Sequence, residues 1–368
     1  MALTTVRPQG MGFNTGRRNL IINGAMQVAQ RGTSKTGISD AGYHTVDRMR
    51  ASESSLATTQ YKSEQASDAP DGFTKSIKIT VTTAEGAVNA ADLFYPLHYR
   101  IESQDLQHLK YGSSSAETIT ISFWVKSSVT GTYVLALYAP DNARAAGKTY
   151  TISSANTWEY KTLTFNGDTT DAPNDDNGIG IELYFLGGAG SDHTSGTLSA
   201  AWQDFTAADW AAGQSVNLQN TLNSTWQCTG LQVELGENAS DFEHRSFGEE
   251  LELCKRYYEE LKFDAADYVA IGFAGSATQS YGCCFYFTEK RAKPSATLPS
   301  TGTSDGTMGF TNSVGSYVTQ GSQFLSATQP KQISLYNASG AGFSGMTAGA
   351  VAGVYNNGTN YLKLDAEL

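Results

Sequence analysis

Apolar residues recur at every second position in segment after segment of this chain, and that period excludes most folds. In residues 118–125, Ile119, Ile121, Phe123 and Val125 fall on one side of an extended backbone, and Thr120, Ser122 and Trp124 on the other. Tyr133, Leu135 and Leu137 repeat the pattern, as do Ile179, Ile181, Leu183 and Phe185. So do Ile77, Ile79 and Val81, and then Leu231, Val233 and Leu235. Period two marks a strand with one face on a core and the other turned away. Turn-rich pieces, such as residues 166–168 and 174–178, separate several of these runs. Residues 19–245 are therefore expected to form a two-sheet β-sandwich, with a first strand at residues 19–24.

One stretch breaks the rhythm. Ser246 followed by Glu249 is a capping box, and Phe247, Leu251, Cys254, Tyr258 and Leu261 are spaced four, three, four, three. Lys255 and Arg256 sit toward the C-terminal end, where the helix dipole favours cations. This predicts a connecting helix over 246–262 between the sandwich and a second, Gly-rich β domain over 263–368. The apolar stripe also has the spacing of a coiled-coil seam between identical chains. The alternative is that it packs on its own sandwich. The whole is an all-β chain with one short helix.

The net charge of −11 and the absence of a Lys/Arg run argue against nucleic acid and anionic membranes as partners. No stretch approaches the eighteen apolar residues of a membrane span. The first thirteen residues lack the apolar core of a secretory signal, so synthesis in a cytoplasm is expected. Cys228, Cys254, Cys283 and Cys284 match no zinc or disulfide spacing and read as small buried hydrophobes. Residues 1–18 are largely polar, carry Arg7, Arg17 and Arg18, and look like an arm with no core of its own.

Several motifs resemble bacteriophage fibre proteins. They are residues 19–32 (NLIINGAMQVAQRG), the Asp47-Arg48 pair, residues 229–245 (TGLQVELGENASDFEHR), residues 246–258 (SFGEELELCKRYY) and the ending 364–368 (LDAEL). The resemblance covers nearly the whole chain and is weakest in the C-terminal domain. It departs at Met49, where the pattern would place Trp. The resemblance implies a carbohydrate-binding-module-like jelly roll, a short helix and a small β tip. It also implies a homotrimer on the virion, with the arm and its Arg7, Arg17 and Arg18 docked on phage tail or capsid proteins and the β domains facing host surface polysaccharide. The tail fibre is the first reading. A head or vertex fibre and a polysaccharide depolymerase are the alternatives.

None of His44, His98, His108, His193 and His244 sits in a recognised catalytic motif, so no enzyme is expected. Asp168, Asp171, Asp175 and Asp176 form the densest acidic group. It reads as a solvated loop, as a carboxylate pair for glycoside chemistry, or, through Asp175, Asp176 and Asn177, as oxygen ligands for calcium. The resemblance adds weight to a structural calcium, and no other cofactor is expected. For sugar binding the chain offers aromatic faces at Trp124, Trp158 and Trp202. Trp124 is out of phase with the apolar face of its strand. The polar loop 186–196, with Asp192 and His193, is the other candidate. For each Trp a place in the core is the competing reading, and for each loop an unconstrained surface is.

Overall fold

The computed structural model describes residues 18–264, 268–276, 279–297, 307–311, 325–337, 351–357 and 360–368. Side chains are described for residues 18–264, 287–297, 329–332 and 361–368. Arg7 and Arg17 of the expected attachment arm lie outside the described residues. The chain divides into two compact units, one running to Glu250 with Leu368 added, the other spanning Leu251–Glu367.

The first unit opens with β1 (Ser34–Ile38), β2 (Gly42–Tyr43), β3 (Arg50–Ser54), β4 (Gln60–Ala66), β5 (Ser76–Thr83), β6 (Leu93–Glu102) and β7 (Ile119–Ser127). There follow β8 (Gly131–Ala139), β9 (Arg144–Ile152), β10 (Glu159–Phe165), β11 (Ile179–Phe185), β12 (Gly188–Ala189), β13 (Gln203–Asp204) and β14 (Thr225–Leu235). A single helical turn, α1 (Ser191–Thr194), precedes β13. One sheet has the order β1-β4-β5-β14-β7-β10, and the other β13-β9-β8-β11-β6-β3-β2, with β12 added beside β6. All these pairings are antiparallel, and the two sheets enclose one apolar core in a jelly-roll sandwich.

The alternating residues build that core. Ile77, Ile79, Val81, Ile119, Ile121, Phe123 and Val125 come from the first sheet, and Tyr133, Leu135, Leu137, Ile181, Leu183 and Phe185 from the second. A second apolar cluster, including Tyr95, Val134, Ala136, Leu186 and Trp210, covers the outer face of the second sheet. Residues 186–218 fold over that face, so both faces of the second sheet carry apolar side chains.

Residues 19–24 do not form the expected strand. Asn23 adopts φ +63, and the segment turns instead of extending. The reason is a buried polar knot. Asn19 Nδ2 donates to the Leu231 carbonyl (3.1 Å), and Asn19 Oδ1 accepts from Ile21 N–H (2.9 Å) and Val233 N–H (3.0 Å). Asn23 Nδ2 donates to the carbonyls of Val28 and Asp47, both at 2.9 Å, and its Oδ1 accepts from Val28 N–H (3.0 Å). Arg245 donates to the carbonyls of Asn19 (2.6 Å) and Ile21 (3.0 Å). Side chains thus satisfy backbone groups that no strand partner reaches. Parts of residues 19–32, 47–48 and 229–250 meet in this knot, as a folding device. Arg48 is buried there at φ +68, and Met49 lies in the core.

The helix is shorter than the sequence predicts. It runs as α2 (Phe247–Lys255), with Glu249 N–H donating to Ser246 Oγ at 3.3 Å, and the division between the units falls within it. The chain then turns, with Tyr257 N–H donating to the Cys254 carbonyl (2.9 Å), and continues as β15 (Tyr258–Phe263). The predicted five-residue stripe therefore breaks. Phe247 is exposed, Leu251 half-buried and Cys254 buried, while Tyr258 and Leu261 belong to a strand. A nine-residue helix is too short for a coiled-coil seam.

The second unit explains that ending. Its strands are β15, β16 (Tyr268–Ser276), β17 (Gln279–Tyr286), β18 (Ser295–Thr297), β19 (Thr307–Thr311), β20 (Leu325–Gln329), β21 (Gln332–Asn337), β22 (Val351–Asn357) and β23 (Asn360–Asp365). Among the described residues they form the sheets β15-β23-β18 and β19-β22-β16-β17-β21-β20. β15 pairs with β23 without a break, from Tyr258 opposite Asp365 to Phe263 opposite Asn360. Continuing the helix would forfeit that ladder, and aromatic residues favour the strand. Glu259 is also held, by buried Lys290 at 2.6 Å. Cys283 and Cys284 lie on β17, where side chains are not described. Among the described residues no helix is long and apolar enough to cross a membrane.

Candidate functional site: an aromatic groove on the outer sheet face

On β7 the residues out of phase with the core are Ser122 and Trp124, and on β10 they are Tyr160 and Thr162. The strands are adjacent, so Trp124 faces Tyr160 and Ser122 faces Thr162 directly across the ladder. The two rings lie 5.3 Å apart at an interplanar angle of 51°, and Tyr160 is 45% exposed. They floor a groove of about 730 Å³.

Phe73, Phe242 and His244 form one wall. Phe73 meets Phe242 edge-on at 5.0 Å and His244 at 5.3 Å, and Phe242 meets His244 at 4.8 Å. Asp71, Glu237, Asn238, Ser240 and Asp241 supply polar groups along the lining. The wall is anchored to the outer face of β14. Glu234 accepts from Ser240 N–H (2.8 Å) and Ser240 Oγ (2.6 Å), and Gln232 accepts from Glu243 N–H (2.8 Å). Arg18, expected to serve the attachment arm, is tied to the same segment. Its N–H donates to Glu243 Oε2 at 2.9 Å and its guanidinium to the Asp241 carbonyl at 3.3 Å.

Gly230 makes the wall fit. It lies beside an irregularity in the β14–β7 pairing, at φ +62, and a Cβ there would stand 2.7 Å from Phe73 Cζ. Gly230→Ala is expected to destabilise the sandwich by about 1–3 kcal/mol and to displace Phe73, read as a lowered urea midpoint. An unchanged midpoint would remove Gly230 from this account.

The other expected sugar-binding residues separate. Trp158 is half-buried beside the groove, not in its lining. Its indole N–H donates to Asp68 (3.2 Å), and Lys126 stands 5.1 Å over its ring. Burial pushes the Asp68 carboxyl up, but hydrogen bonds from Lys126 and Trp158 outweigh it and hold it below its ordinary value. Trp202 is a correction: it is buried in the core against Tyr111, at 5.8 Å, and offers no platform. Asp192 is exposed on α1, and His193 lines a different pocket, on the second sheet.

The acidic group divides: Asp168 and Asp171 meet on Arg144 Nε, at 2.8 and 3.5 Å, and Asp175 and Asp176 stand exposed. Asp168 is buried and clamped by Arg144, with Nε at 2.8 Å, which makes it a structural ion pair. Asp175, Asp176 and Asn177 are exposed, and Asp176 Oδ1 accepts from Gly178 N–H at 2.8 Å. Among the described residues no three His, Cys, Asp or Glu side chains stand close enough to hold a metal ion.

A further polar cluster crosses the outer face of the second sheet. His98 Nε2 lies 3.0 Å from Glu182 and its Nδ1 2.9 Å from Arg50 NH1, while Arg100 Nε donates to Glu182 at 2.7 Å. Arg50 can only donate, so His98 Nδ1 accepts and the ring stays neutral. Burial holds the imidazole down to about 4 from 6.5, although Glu182 pulls the other way. The unfolded chain therefore takes up a proton that the fold refuses. Stability is fully present above about pH 6.5 and is lost toward pH 4, at roughly 1.4 kcal/mol per pH unit. Urea midpoints across this range check it; a His98→Gln variant should lose that slope, and a wild-type profile without it would contradict the neutral assignment.

The sequence signalled Trp124 through its phase. It could have signalled Tyr160 through the alternation of Tyr160, Thr162 and Thr164 with Lys161, Leu163 and Phe165. Phe73, Phe242 and His244 carry no periodic signal, because loops bring them together.

No protein-family model and no curated protein matches this chain. Among solved structures it is similar to the family 11 carbohydrate-binding module of a Clostridium thermocellum cellulosomal cellulase, at 9% identity over 60% of this chain and 96% of that one, with a TM-score of 0.27. It is similar to TmCBM61 in complex with β-1,4-galactotriose, at 9% identity over 60% and 100%, TM-score 0.29. It also matches the arabinose-bound MgGH51 α-L-arabinofuranosidase, at 11% identity over 61% of this chain, TM-score 0.30, and spans only 28% of that enzyme. Likeness at this level assigns no ligand to this chain.

Proposed function

We propose that the sandwich binds a glycan in the Trp124–Tyr160 groove, and that the chain is a non-enzymatic fibre subunit of a bacteriophage virion that attaches the particle to host surface polysaccharide. The observation that carries the glycan reading is an aromatic pair, Tyr160 exposed and Trp124 half-buried, fixed across two adjacent strands, with hydroxyls, an amide and carboxylates around it. Sugar rings present apolar C–H faces to aromatic rings and hydroxyls to planar acceptors, so this lining suits both. The fibre reading is supported by the resemblance of residues 19–32, 47–48 and 229–258 to phage fibre proteins. The homotrimer rests on that resemblance alone, since the expected helical seam does not form. Three weak sites pointing the same way would gain avidity on a repeating polymer.

Calorimetric titration of the purified chain with host surface polysaccharide tests the glycan reading; no saturable binding would refute it. Absence of released reducing ends in the same mixture is expected, and their release would refute the non-enzymatic reading. Sedimentation mass and immunogold labelling of particles test the fibre reading. A trimer labelled on the tail supports it, and a soluble monomer absent from particles overturns it.

A further inference from the structure

The outer face of the second sheet carries a pocket of about 260 Å³ walled by Tyr95, Tyr138, Tyr184, Phe205 and Trp210, with His193 at its side. It shares no residue with the Trp124 groove. Several of its rings stand steeply to one another, and Tyr95 meets Tyr184 at 57°. Trp210 meets Tyr138 at 85°, Tyr184 at 73° and Phe205 at 70°, with centroids 5.2–6.2 Å apart, and Tyr138 meets Phe205 at 71°. Phe205 is 41% exposed, so the pocket is open to solvent.

The polar inventory says what fits. Tyr95 Oη accepts from Trp210 Nε1–H (2.9 Å), and the Tyr184 hydroxyl donates to Glu182 (3.0 Å). Two of the three tyrosine hydroxyls are engaged within the protein, so a hydroxyl-rich sugar would find few partners here and would lose hydrogen bonds to water. No Lys or Arg lines the pocket, and the exposed Asp192 stands on the residue before His193, while the Asp209 carboxylate is committed to Thr197 N–H (2.8 Å) and Gln203 (3.1 Å). His193 Nδ1 is buried with no hydrogen-bond partner. An apolar-coated cation needs no hydrogen bonds and gains from each ring face within about 6 Å.

We propose that this pocket is an aromatic cage for a trimethylammonium group, with choline as the simplest ligand. The rings supply the attraction, Asp192 supplies the sign, and His193 Nδ1 is placed to pair with the ligand's hydroxyl.

The test uses the full chain and two probes of equal shape, choline and its uncharged carbon isostere 3,3-dimethyl-1-butanol, titrated calorimetrically. Choline is expected to bind saturably and at least about fivefold more tightly than the isostere, because only the cation gains from the ring quadrupoles. Phe205→Leu keeps apolar bulk at a half-open position and is expected to weaken choline about threefold or more while leaving the isostere unchanged. No saturable binding at millimolar choline overturns the proposal. So does equal affinity for the two probes, which would mark a simple apolar pocket, or a Phe205→Leu variant that binds choline as the wild type does.

Discussion

Asn23→Ala is expected to destabilise the sandwich by roughly 3–5 kcal/mol, the largest effect of any single polar substitution considered. The Asn23 carboxamide satisfies one buried N–H and two buried carbonyls, those of Val28 and Asp47. Truncation leaves all three without that partner in a site where the side chain is fully buried. Each orphaned buried group costs about 1–3 kcal/mol, and the three do not add fully because the segment can relax. Alanine also meets the left-handed backbone at φ +63, which asparagine tolerates better. Asn23→Gly separates the two contributions, since it keeps the backbone and loses the amide. Urea midpoints of the three proteins measure this, and an alanine variant within about 1 kcal/mol of wild type would show that the knot is not what fixes residues 19–32.

The second large effect is on binding. Trp124→Ala is expected to lower glycan affinity at least about tenfold, and Tyr160→Ala by a similar factor, since stacked rings dominate such contacts. Tyr160 is the cleaner test, because its exposed ring contributes little to the core and its variant should keep the wild-type thermal midpoint. The double variant should lose less than the product of the two, because the rings touch at 5.3 Å and share one ligand surface. Phe242→Ala should weaken binding without abolishing it, by loosening the wall that Phe73 and His244 complete. Calorimetry with the same polysaccharide reads all four. Unaltered affinity in both single variants would move the glycan away from this groove.

These two predictions sit at opposite ends of what could be read in advance. Trp124 announced itself by phase, since a strand whose Ile121 and Phe123 face a core must turn Trp124 the other way. Trp202 carried no such signal. It lies outside any clean alternation, and only its burial against Tyr111 shows that it belongs to the core. Asn23 sits in a run that reads as extended chain, yet hydrogen bonds from residues more than two hundred positions away hold that segment in a turn.

The helix shows the same contrast within a few residues. Its start follows from Ser246 and Glu249, a local device, and the structure keeps it. Its end depends on β23, about a hundred residues later, which offers β15 a complete ladder.

By itself, then, the amino-acid order determined the all-β class, the core faces of the main strands, the helix start and the outward Trp124. Those features arise from period and from contacts a few residues long. The turn at Asn23 combines local bonds to Met26 and Val28 with distant ones, and tertiary structure alone decided the end of α2, the wall of Phe73, Phe242 and His244, and the ring cage around Trp210. Each of these last three is made by segments far apart in the chain, whose meeting depends on packing and pairing energies that no local pattern encodes.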